Sequence, residues 1–295
     1  MTGRGRARST ARRRAGGGVI TAFTQSWGAE TVANGDFSAW TNDNPDGWTL
    51  TGETGAGQQV TQCAPDGSAG TGAARFVSSA SLAPQIAQNL LAAGTWYELG
   101  IDVSAFTSGL LRTALTANLL FSSAGTKTAL GRVAANGSLA LTTNGAAAHD
   151  FVIDRVSLRP VTLNAVHPGA ADGTHTLRFT LPATPPQGAR IELRYRVQDD
   201  QNYWVAALVR GNTWDLQVNS VNAGAATNRI SVTNVGTPDA IRVVTAGALH
   251  TAFTGVSDVY TQRGAPVNIT HLNALTGVTA VYTTGFTPLA LSSGG

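Results

Sequence analysis

Carboxylates are the first side chains to consider for chemistry, because one member of an acid pair can donate a proton while its partner acts as a nucleophile. The chain of 295 residues has only four glutamates, which are Glu30, Glu53, Glu98 and Glu192. No Gly-x-Ser-x-Gly elbow, His-Glu-x-x-His pair or phosphate-binding loop is present. The five histidines lack the spacing of a metal site; they are His149, His167, His175, His250 and His271. This thin supply of catalytic groups predicts a protein that is not an enzyme, has no catalytic residues or metal centre, and requires no cofactor.

Positive charge is concentrated at the start of the chain. Six arginines lie within the first fourteen residues: Arg4, Arg6, Arg8, Arg12, Arg13 and Arg14. The formal net charge is +3, and removing these six leaves 14 basic residues against 17 acidic ones, a net of −3. A low-complexity segment without an apolar anchor cannot bury enough surface to fold alone, so a flexible basic arm is expected. An assembly arm that binds a negative surface and a solvated tail both remain open; nucleic acid would bind through the arm, if at all.

Targeting signals are weak. The apolar stretch Val19–Phe23 is too short for the core of a signal peptide. No run approaches the roughly 18 apolar residues of a membrane helix, so no membrane partner is expected. The single cysteine, Cys63, cannot form an intrachain disulfide and is expected to be a buried thiol.

Strand signals dominate the remaining chain. Apolar and polar residues alternate strictly in residues 177–181, 190–197 and 214–219. Clusters rich in Pro, Gly and Asn separate these segments, which is typical of a sandwich or a barrel. The best helix candidate is Ala83–Leu91, and its proline keeps it short.

These patterns predict an all-β fold behind a flexible basic N-terminal arm, and the resemblances described below imply that it consists of two consecutive jelly-roll β-sandwiches. The boundary is expected near Pro160, because residues 151–158 have the pattern of a closing strand and a new apolar run follows. The predicted domains are an arm over residues 1–26, a first sandwich over 27–160 and a second over 161–295.

The first half resembles a carbohydrate-binding module of the family four/nine type. The matching segments are Val32–Phe37 (VANGDF), Gly94–Leu99 (GTWYEL) and Asp150–Leu158 (DFVIDRVSL). The resemblance implies a jelly roll, and it admits a structural calcium, with Asp36 and Asp154 at the matching positions. Ser38 stands where the family usually has an acid, which removes one oxygen ligand. The pair Asp154 and Arg155 is expected at a β-bulge.

Glycan binding in such modules usually relies on exposed aromatic side chains. Trp48 and Trp96 lie in strand-like contexts and are expected in the core. Trp40, in a polar stretch, is the best candidate for an exposed ring that stacks on a sugar.

The second half resembles a concanavalin A-like or laminin G-like sandwich. The similarity lies in residues 190–205, which end in Asp199–Val205 (DDQNYWV), and in residues 214–224 and 277–282. The oxygen-bearing residues of the hairpin, Asp199, Asp200 and Asn202, are expected to form a turn. Tyr203 and Trp204 point to opposite faces of one strand, so one is expected in the core and the other exposed as a glycan-binding candidate.

The favoured hypothesis is a non-enzymatic structural or accessory protein of a tailed-phage particle: a capsid decoration, fibre or tail component. It would reside in the virion, be anchored by its arm, and contact other virion proteins or copies of itself as a homo-oligomer. Host-surface glycans are further expected partners, and Val19–Phe23 would add as a strand to a neighbouring subunit. The alternative is a glycan-binding extracellular bacterial protein, such as an adhesin or filament subunit.

Overall fold

The computed structural model of the protein describes residues 18–55, 59–68, 70–79, 83–115, 118–143, 148–272 and 275–294. These residues contain strands and turns without a helix, and every strand pairing is antiparallel. The prediction of an all-β chain is confirmed. No helix long and apolar enough to span a bilayer occurs in this part of the chain.

Fourteen strands precede residue 163 in the described chain. The first seven are β1 (Val19–Ile20), β2 (Ser26–Trp27), β3 (Trp40–Thr41), β4 (Asn44–Pro45), β5 (Thr49–Thr51), β6 (Gln59–Cys63) and β7 (Ala73–Ser78). The next seven are β8 (Gln85–Leu91), β9 (Trp96–Ser108), β10 (Leu111–Ala114), β11 (Asn118–Phe121), β12 (Gly125–Arg132), β13 (Gly137–Thr143) and β14 (His149–Thr162).

Eleven strands follow. They are β15 (His167–Pro168), β16 (Gly173–Thr180), β17 (Arg190–Val197), β18 (Tyr203–Arg210), β19 (Trp214–Asn222), β20 (Ala225–Val232), β21 (Ala240–Ala246), β22 (Leu249–Val256), β23 (Val259–Asn268), β24 (Gly277–Tyr282) and β25 (Thr287–Gly294).

The first sandwich packs the sheet β11-β10-β13-β8-β5 against the sheet β12-β9-β14-β7-β6, while β2 pairs with β14. Alternate residues from both sheets meet in one apolar core, which includes Phe76, Ile86, Leu139 and Phe151. Because successive side chains of a strand point to opposite faces, each sheet buries one face and leaves the other for other contacts.

β14 shifts register between Ile153 and Arg155, so Asp154 occupies the bulge that the sequence predicts. On either side of the bulge Ile153 and Val156 remain buried. The extra residue lets β14 keep its apolar face toward the core across an irregular stretch of sequence.

The second sandwich packs the sheet β1-β25-β16-β21-β22-β23 against the sheet β15-β24-β17-β18-β19-β20. Its core joins Leu177 and Ile241 from the first of these sheets with Leu193 and Trp204 from the second. The three alternating segments of the sequence form β16, β17 and β19, as predicted.

The helix expected over Ala83–Leu91 is wrong, because Gln85–Leu91 forms strand β8. Ile86 and Gln88 are buried while Asn89 is exposed, which is a strand pattern. Two neighbouring strands, β13 and β5, provide the hydrogen bonds that decide the conformation of this short segment.

The N-terminal segment runs along the second sandwich before the chain enters the first. Val19 and Ile20 pair with Ser292 and Leu291 of β25 in the same chain rather than with a neighbouring subunit. Ile20 and Phe23 pack against the core of the second sandwich. Part of the expected arm of residues 1–26 is therefore docked, because it carries apolar side chains that this core can bury.

The predicted assembly arginines lie outside the described residues; they are Arg4, Arg6, Arg8, Arg12, Arg13 and Arg14. The described chain begins at Gly18, directly before the edge strand β1.

The two sandwiches are tied together by the carboxylate of Glu98 on β9. It accepts hydrogen bonds from the indole of Trp27 (3.1 Å) and from the backbone N–H (2.7 Å) and hydroxyl (2.6 Å) of Thr284, beyond β24. Arg159 Nη2 lies 3.3 Å from the same carboxylate. Glu98 is 6% exposed, so these donors satisfy a charge that is almost fully shielded from water.

A second tie uses Lys127, the only lysine of the sequence. Its ammonium donates to Gln187 Oε1 across the interface (2.8 Å), and to Ser123 Oγ (2.9 Å) and the Ala124 carbonyl (3.0 Å). Lys127 is 2% exposed, and burial lowers the pKa of its ammonium. The three acceptors satisfy all three N–H groups of the side chain.

Candidate functional site

A cleft of about 340 Å³ lies where the two sandwiches meet. Its floor is the outward face of β17, β18 and β19, the face opposite the core of the second sandwich. One wall comes from the first sandwich, through Trp96 and the end of β12, and the other from the turns around residues 200 and 224. The volume falls in the range of roughly 300–1,000 Å³ that is usual for ligand sites.

Three alternate residues of β17 place charge on this floor. Glu192 is 4% exposed and forms ion pairs with Arg190 and with Arg194, whose Nη2 lies 2.6 Å from Glu192 Oε2. Burial by itself would raise the pKa of the Glu192 carboxyl, but the two guanidinium groups together hold that pKa below its usual value. Glu192 is therefore a fixed negative charge and a poor proton donor.

Arg194 also lies between two aromatic rings. Its guanidinium carbon is 4.6 Å from the centroid of Trp96, in the first sandwich, and 4.3 Å from the centroid of Tyr203. Guanidinium groups are attracted to the faces of aromatic rings, and the attraction grows when water is excluded. This stack fixes the aromatic side chains of the cleft in position.

An ion pair links the two walls of the cleft. Arg132 Nε, at the end of β12, lies 2.6 Å from Asp200 Oδ2, in the turn between β17 and β18. The side chain of Arg132 is 27% exposed and that of Asp200 is 44% exposed. Both charges are thus accessible to a solute in the cleft.

Amide side chains complete the lining. Asn219 on β19 is half-buried, and its Oδ1 accepts a hydrogen bond from Asn228 Nδ2 on β20 (3.1 Å). Gln201 lies at the rim, in the same turn as Asp200. Amides both donate and accept hydrogen bonds, so the cleft can pair with hydroxyl groups of a polar ligand.

The structure corrects the expectation for the β17–β18 hairpin. Trp204 is fully buried, with its ring stacked on His250 at 3.9 Å and its Nε1 donating to the His271 carbonyl. Tyr203 is only 7% exposed, because Arg194 covers its ring on the outward face. The two rings do point to opposite faces, but neither is exposed, since one face meets the core and the other meets the interface.

Trp40 is half-buried rather than exposed. It packs against the core of the first sandwich, and its Nε1 donates to the Phe37 carbonyl (2.7 Å). Trp48 is buried and stacked on Phe37, as predicted. Trp96 differs from its expected core position: it is half-buried and lines the cleft. The sequence pattern favours Trp40 as the tryptophan outside the core. In the structure Trp96 has that position, because its ring lies against the second sandwich.

The motif search does not identify one pair of acids on a strand. Glu98 and Asp102 lie four residues apart on β9. Both acids line a smaller interface cavity of about 210 Å³. Glu98, however, is the residue whose carboxylate accepts hydrogen bonds from Trp27 and Thr284. Its oxygens are occupied by these structural bonds.

Of the two aspartates that the first-half resemblance links to calcium, Asp154 has a buried Oδ1 without a hydrogen-bond partner in the described chain, whereas Asp36 is bonded within its own turn. Asp36 Oδ1 accepts hydrogen bonds from the backbone and hydroxyl of Ser38. Burial raises the pKa of Asp154, and nearby Asp102 adds to that rise. No group of three or more His, Cys, Asp or Glu side chains that could hold a metal occurs among the residues described, whereas calcium takes about six oxygen ligands or more.

Besides the charged residues of the cleft, a second cluster of titratable groups lies inside the second sandwich. Arg196 is fully buried, and its guanidinium donates to Asp172 Oδ1 (2.9 Å) and lies 3.1 Å from His250 Nε2. His250 Nδ1 lies 3.1 Å from the hydroxyl of Tyr195, and the ring of His175 stacks on Tyr195 at 5.6 Å. Burial, followed by the charge of Arg196, lowers the pKa of His175 to about 4 and that of His250 to about 3.

Comparison with known proteins gives low similarity. No protein-family model matches the chain. No curated protein matches it either. Among solved structures, the chain is similar to the carbohydrate binding module CBM66 from Bacillus subtilis, with 12% identity over 45% of this chain and 77% of that one, at a TM-score of 0.32.

Two further solved structures are similar to the chain at comparably low scores. The CBM2 module of the evolved Dit of Lactobacillus casei BL23 phage J-1 has 10% identity over 92% of this chain and 95% of that one, at a TM-score of 0.28. The GH43 protein BlXynB from Bacillus licheniformis has 9% identity over 75% of this chain and 61% of that one, at a TM-score of 0.32. Such scores assign neither a family nor a ligand, so the function must be argued from the cleft.

Proposed function

We propose that the protein is a non-enzymatic glycan-binding protein whose ligand lies in the cleft between the two sandwiches. The cleft carries the proposal, because it joins aromatic rings to amide, carboxylate and guanidinium groups within about 340 Å³. Saccharides present many hydroxyl groups, and the amide, carboxylate and guanidinium groups of this lining can donate hydrogen bonds to them and accept hydrogen bonds from them. The ties at Glu98 and Lys127 hold the two walls of the cleft in place, so a ligand meets a preorganised site.

The ion pairs and hydrogen bonds of the four glutamates support a binding protein rather than an enzyme. Glu192 is paired with two arginines and Glu98 is bonded across the interface. Glu30 Oε1 accepts the backbone N–H groups of residues 31, 32 and 158, and Glu53 Oε1 accepts that of Val60. A general acid or nucleophile needs a carboxyl group free to exchange a proton or attack, and all four glutamates have structural partners instead.

The test is glycan-array screening of the full chain, followed by calorimetric titration of the best glycan. We expect Asn219→Ala to weaken binding on the order of tenfold, because a hydrogen bond to ligand contributes about 1–1.5 kcal/mol. Gln217→Ala is the matched control, since Gln217 is half-buried on the same face of β19, two residues away, and outside the cleft lining.

Equal affinities for the two variants would overturn the placement of the site. A chain that binds no glycan on the array would overturn the function itself. Release of new reducing ends from the bound glycan, abolished by Glu98→Gln, would replace the binding proposal with catalysis.

For the biological setting, we propose a structural or accessory component of a tailed-phage particle, such as a capsid decoration, fibre or tail part. The charge distribution supports this, because six arginines precede a body that carries a net charge of −3. The basic segment joins the body at Gly18, next to the sheet edge occupied by β1. A segment with this charge attracts a negatively charged neighbour.

Deletion of residues 1–17 tests the anchor while keeping β1 in place. We expect the deleted chain to bind glycan like the full chain but to be lost from purified particles, because the basic segment supplies the attraction to the particle. Incorporation at the full level would contradict the anchor. A gene located away from capsid and tail genes would favour the alternative, an extracellular adhesin or filament subunit.

A further inference from the structure

The lining of the cleft carries a net positive charge. Its ionisable side chains are three arginines and two carboxylates, which leaves one positive charge; they are Arg132, Arg190, Arg194, Glu192 and Asp200. Arg190 and Arg194 share the single carboxylate of Glu192. Resting on the proposed glycan-binding function, we propose that the cleft selects an acidic oligosaccharide, through a carboxylate or sulfate group that binds Arg132.

Arg132 is the arginine of the cleft whose carboxylate partner is exposed. Its partner Asp200 lies in an exposed turn with a side chain 44% exposed, whereas Glu192 is shielded from water. Exposed ion pairs contribute little, about 0–1 kcal/mol, so a ligand anion can replace Asp200 at modest cost. A guanidinium presents parallel N–H groups that match the two oxygens of a carboxylate or sulfate.

Hydrogen-bond donors are also in excess in the cleft. Trp96 Nε1 and Arg190 Nε are buried and have no acceptor within the described part of the chain, although both residues line the cleft. Buried donors without partners are unfavourable, and a small movement of either side chain toward an acceptor-rich ligand would relieve that cost. Acid groups bring more acceptor oxygens than hydroxyl groups do, so this excess points in the same direction as the charge.

The net charge of the protein outside its N-terminal arginines favours a ligand that carries its negative charge on one or two groups rather than along a long polymer. Without the six N-terminal arginines the chain has a net charge of −3, so a long polyanion such as nucleic acid is repelled outside the cleft. A short saccharide with one or two acid groups meets only the positive lining. The glycan class that satisfies both conditions is an oligosaccharide bearing uronic acids or sulfate esters.

The experiment uses two matched pairs of probes with the full chain. The first pair is tetragalacturonate and its methyl ester, and the second is a sulfated galactan tetrasaccharide and its desulfated form. We expect the acidic member of one pair to bind on the order of tenfold more tightly than its neutral form, and its affinity to fall as NaCl is raised. The pair that shows the difference identifies the acid group as carboxylate or sulfate.

Two variants distinguish recognition of the ligand's acid group from a purely structural role of the ion pair. Arg132→Gln and Asp200→Asn break the same pair but change the charge of the cleft in opposite directions. We expect Arg132→Gln to weaken the acidic probe and Asp200→Asn to strengthen it, each by roughly three- to tenfold. Affinity for the neutral form should be equal in both variants. If the ion pair only holds the walls together, both substitutions shift affinity in the same direction, and that result overturns the proposal.

Failure of this inference is distinguishable from failure of the proposed function. Neutral probes that bind in the cleft as tightly as acidic ones would leave glycan binding intact and overturn the acid preference. Absence of binding by all four probes and by the glycan array would overturn both.

Discussion

The hydrogen bonds of His250 fix its protonation state in the folded protein. Arg196 can only donate hydrogen bonds, so the His250 Nε2 that lies 3.1 Å from Arg196 Nη1 must be an unprotonated acceptor. The proton of the neutral ring is then on Nδ1, which donates to the Tyr195 hydroxyl 3.1 Å away. Burial is the main cause of the low pKa of His250, and the positive charge of Arg196 beside the ring lowers that pKa further.

This arrangement predicts that the folded protein begins to lose stability at pH values well above those at which carboxylates titrate. Burial lowers the pKa of His175 from 6.5 to about 4 and that of His250 from 6.5 to about 3, so both are neutral when folded. The unfolded chain binds these two protons as the pH falls below about 6.5, so stability is present above that pH and is lost below it. Each histidine should lower the free energy of unfolding by roughly 1.4 kcal/mol per pH unit until its folded pKa is reached.

Urea denaturation at pH 8, 6 and 5 measures this loss. His250→Gln keeps an acceptor for Arg196 but removes one titrating group, so we expect the slope between pH 6 and 5 to fall by about half. The pH 8 measurement is the baseline for the packing effect of the substitution, since both histidines are neutral there. A variant with the slope of the parent would show that His250 does not carry the effect.

Single residues of the cleft could not be identified from the sequence. Trp96 and Tyr203 both lie in strand-like segments, and period-two alternation states only that a side chain points to one face or the other. Which outward face meets another sandwich depends on contacts such as that of Trp96 on β9 with Arg194 on β17, which are far apart in the chain. The arginines of β17 have the pattern of a solvated face in the sequence, yet they form the charged floor of the cleft.

At the scale of elements, β9 supplies the main connection between the sandwiches. Glu98→Ala would leave the indole N–H of Trp27 and both donors of Thr284 without their acceptor. We expect the free energy of unfolding to fall by about 3 kcal/mol, because each buried unsatisfied donor costs about 1–3 kcal/mol and partial rehydration recovers some of that.

Glu53→Ala is the control for this measurement, since Glu53 is exposed and accepts one backbone N–H, that of Val60. Urea titration of both variants and the parent at pH 8 keeps the histidines out of the comparison. If the two alanine variants lose the same free energy, Glu98 is not the main tie.

The strands themselves could be predicted where local pattern and tertiary contacts agree. Residues 190–197 and 214–219 alternate strictly, and both form strands. Residues 83–91 carry a weak helical signal, and pairing with β5 and β13 overrides it. The bulge at Asp154 was predictable because two polar residues interrupt the alternation of the last strand of the first sandwich.

At the scale of the whole molecule, the chain passes between the sandwiches twice. Residues 18–25 lie on the second sandwich, β2 to β14 build the first, and the chain then returns. Thr24 and Gln25 donate their backbone N–H groups to Asn164 Oδ1, which fastens the outgoing segment to the returning one. No local sequence pattern predicts this course of the chain, because the short apolar stretch at Val19 is equally compatible with a free tail.

The burial of Lys127 has a practical consequence for labelling. The sequence contains no other lysine, and the ammonium of this one is enclosed between the sandwiches with all of its protons donated. Amine-reactive dyes will therefore leave Lys127 unmodified for as long as the two sandwiches stay together.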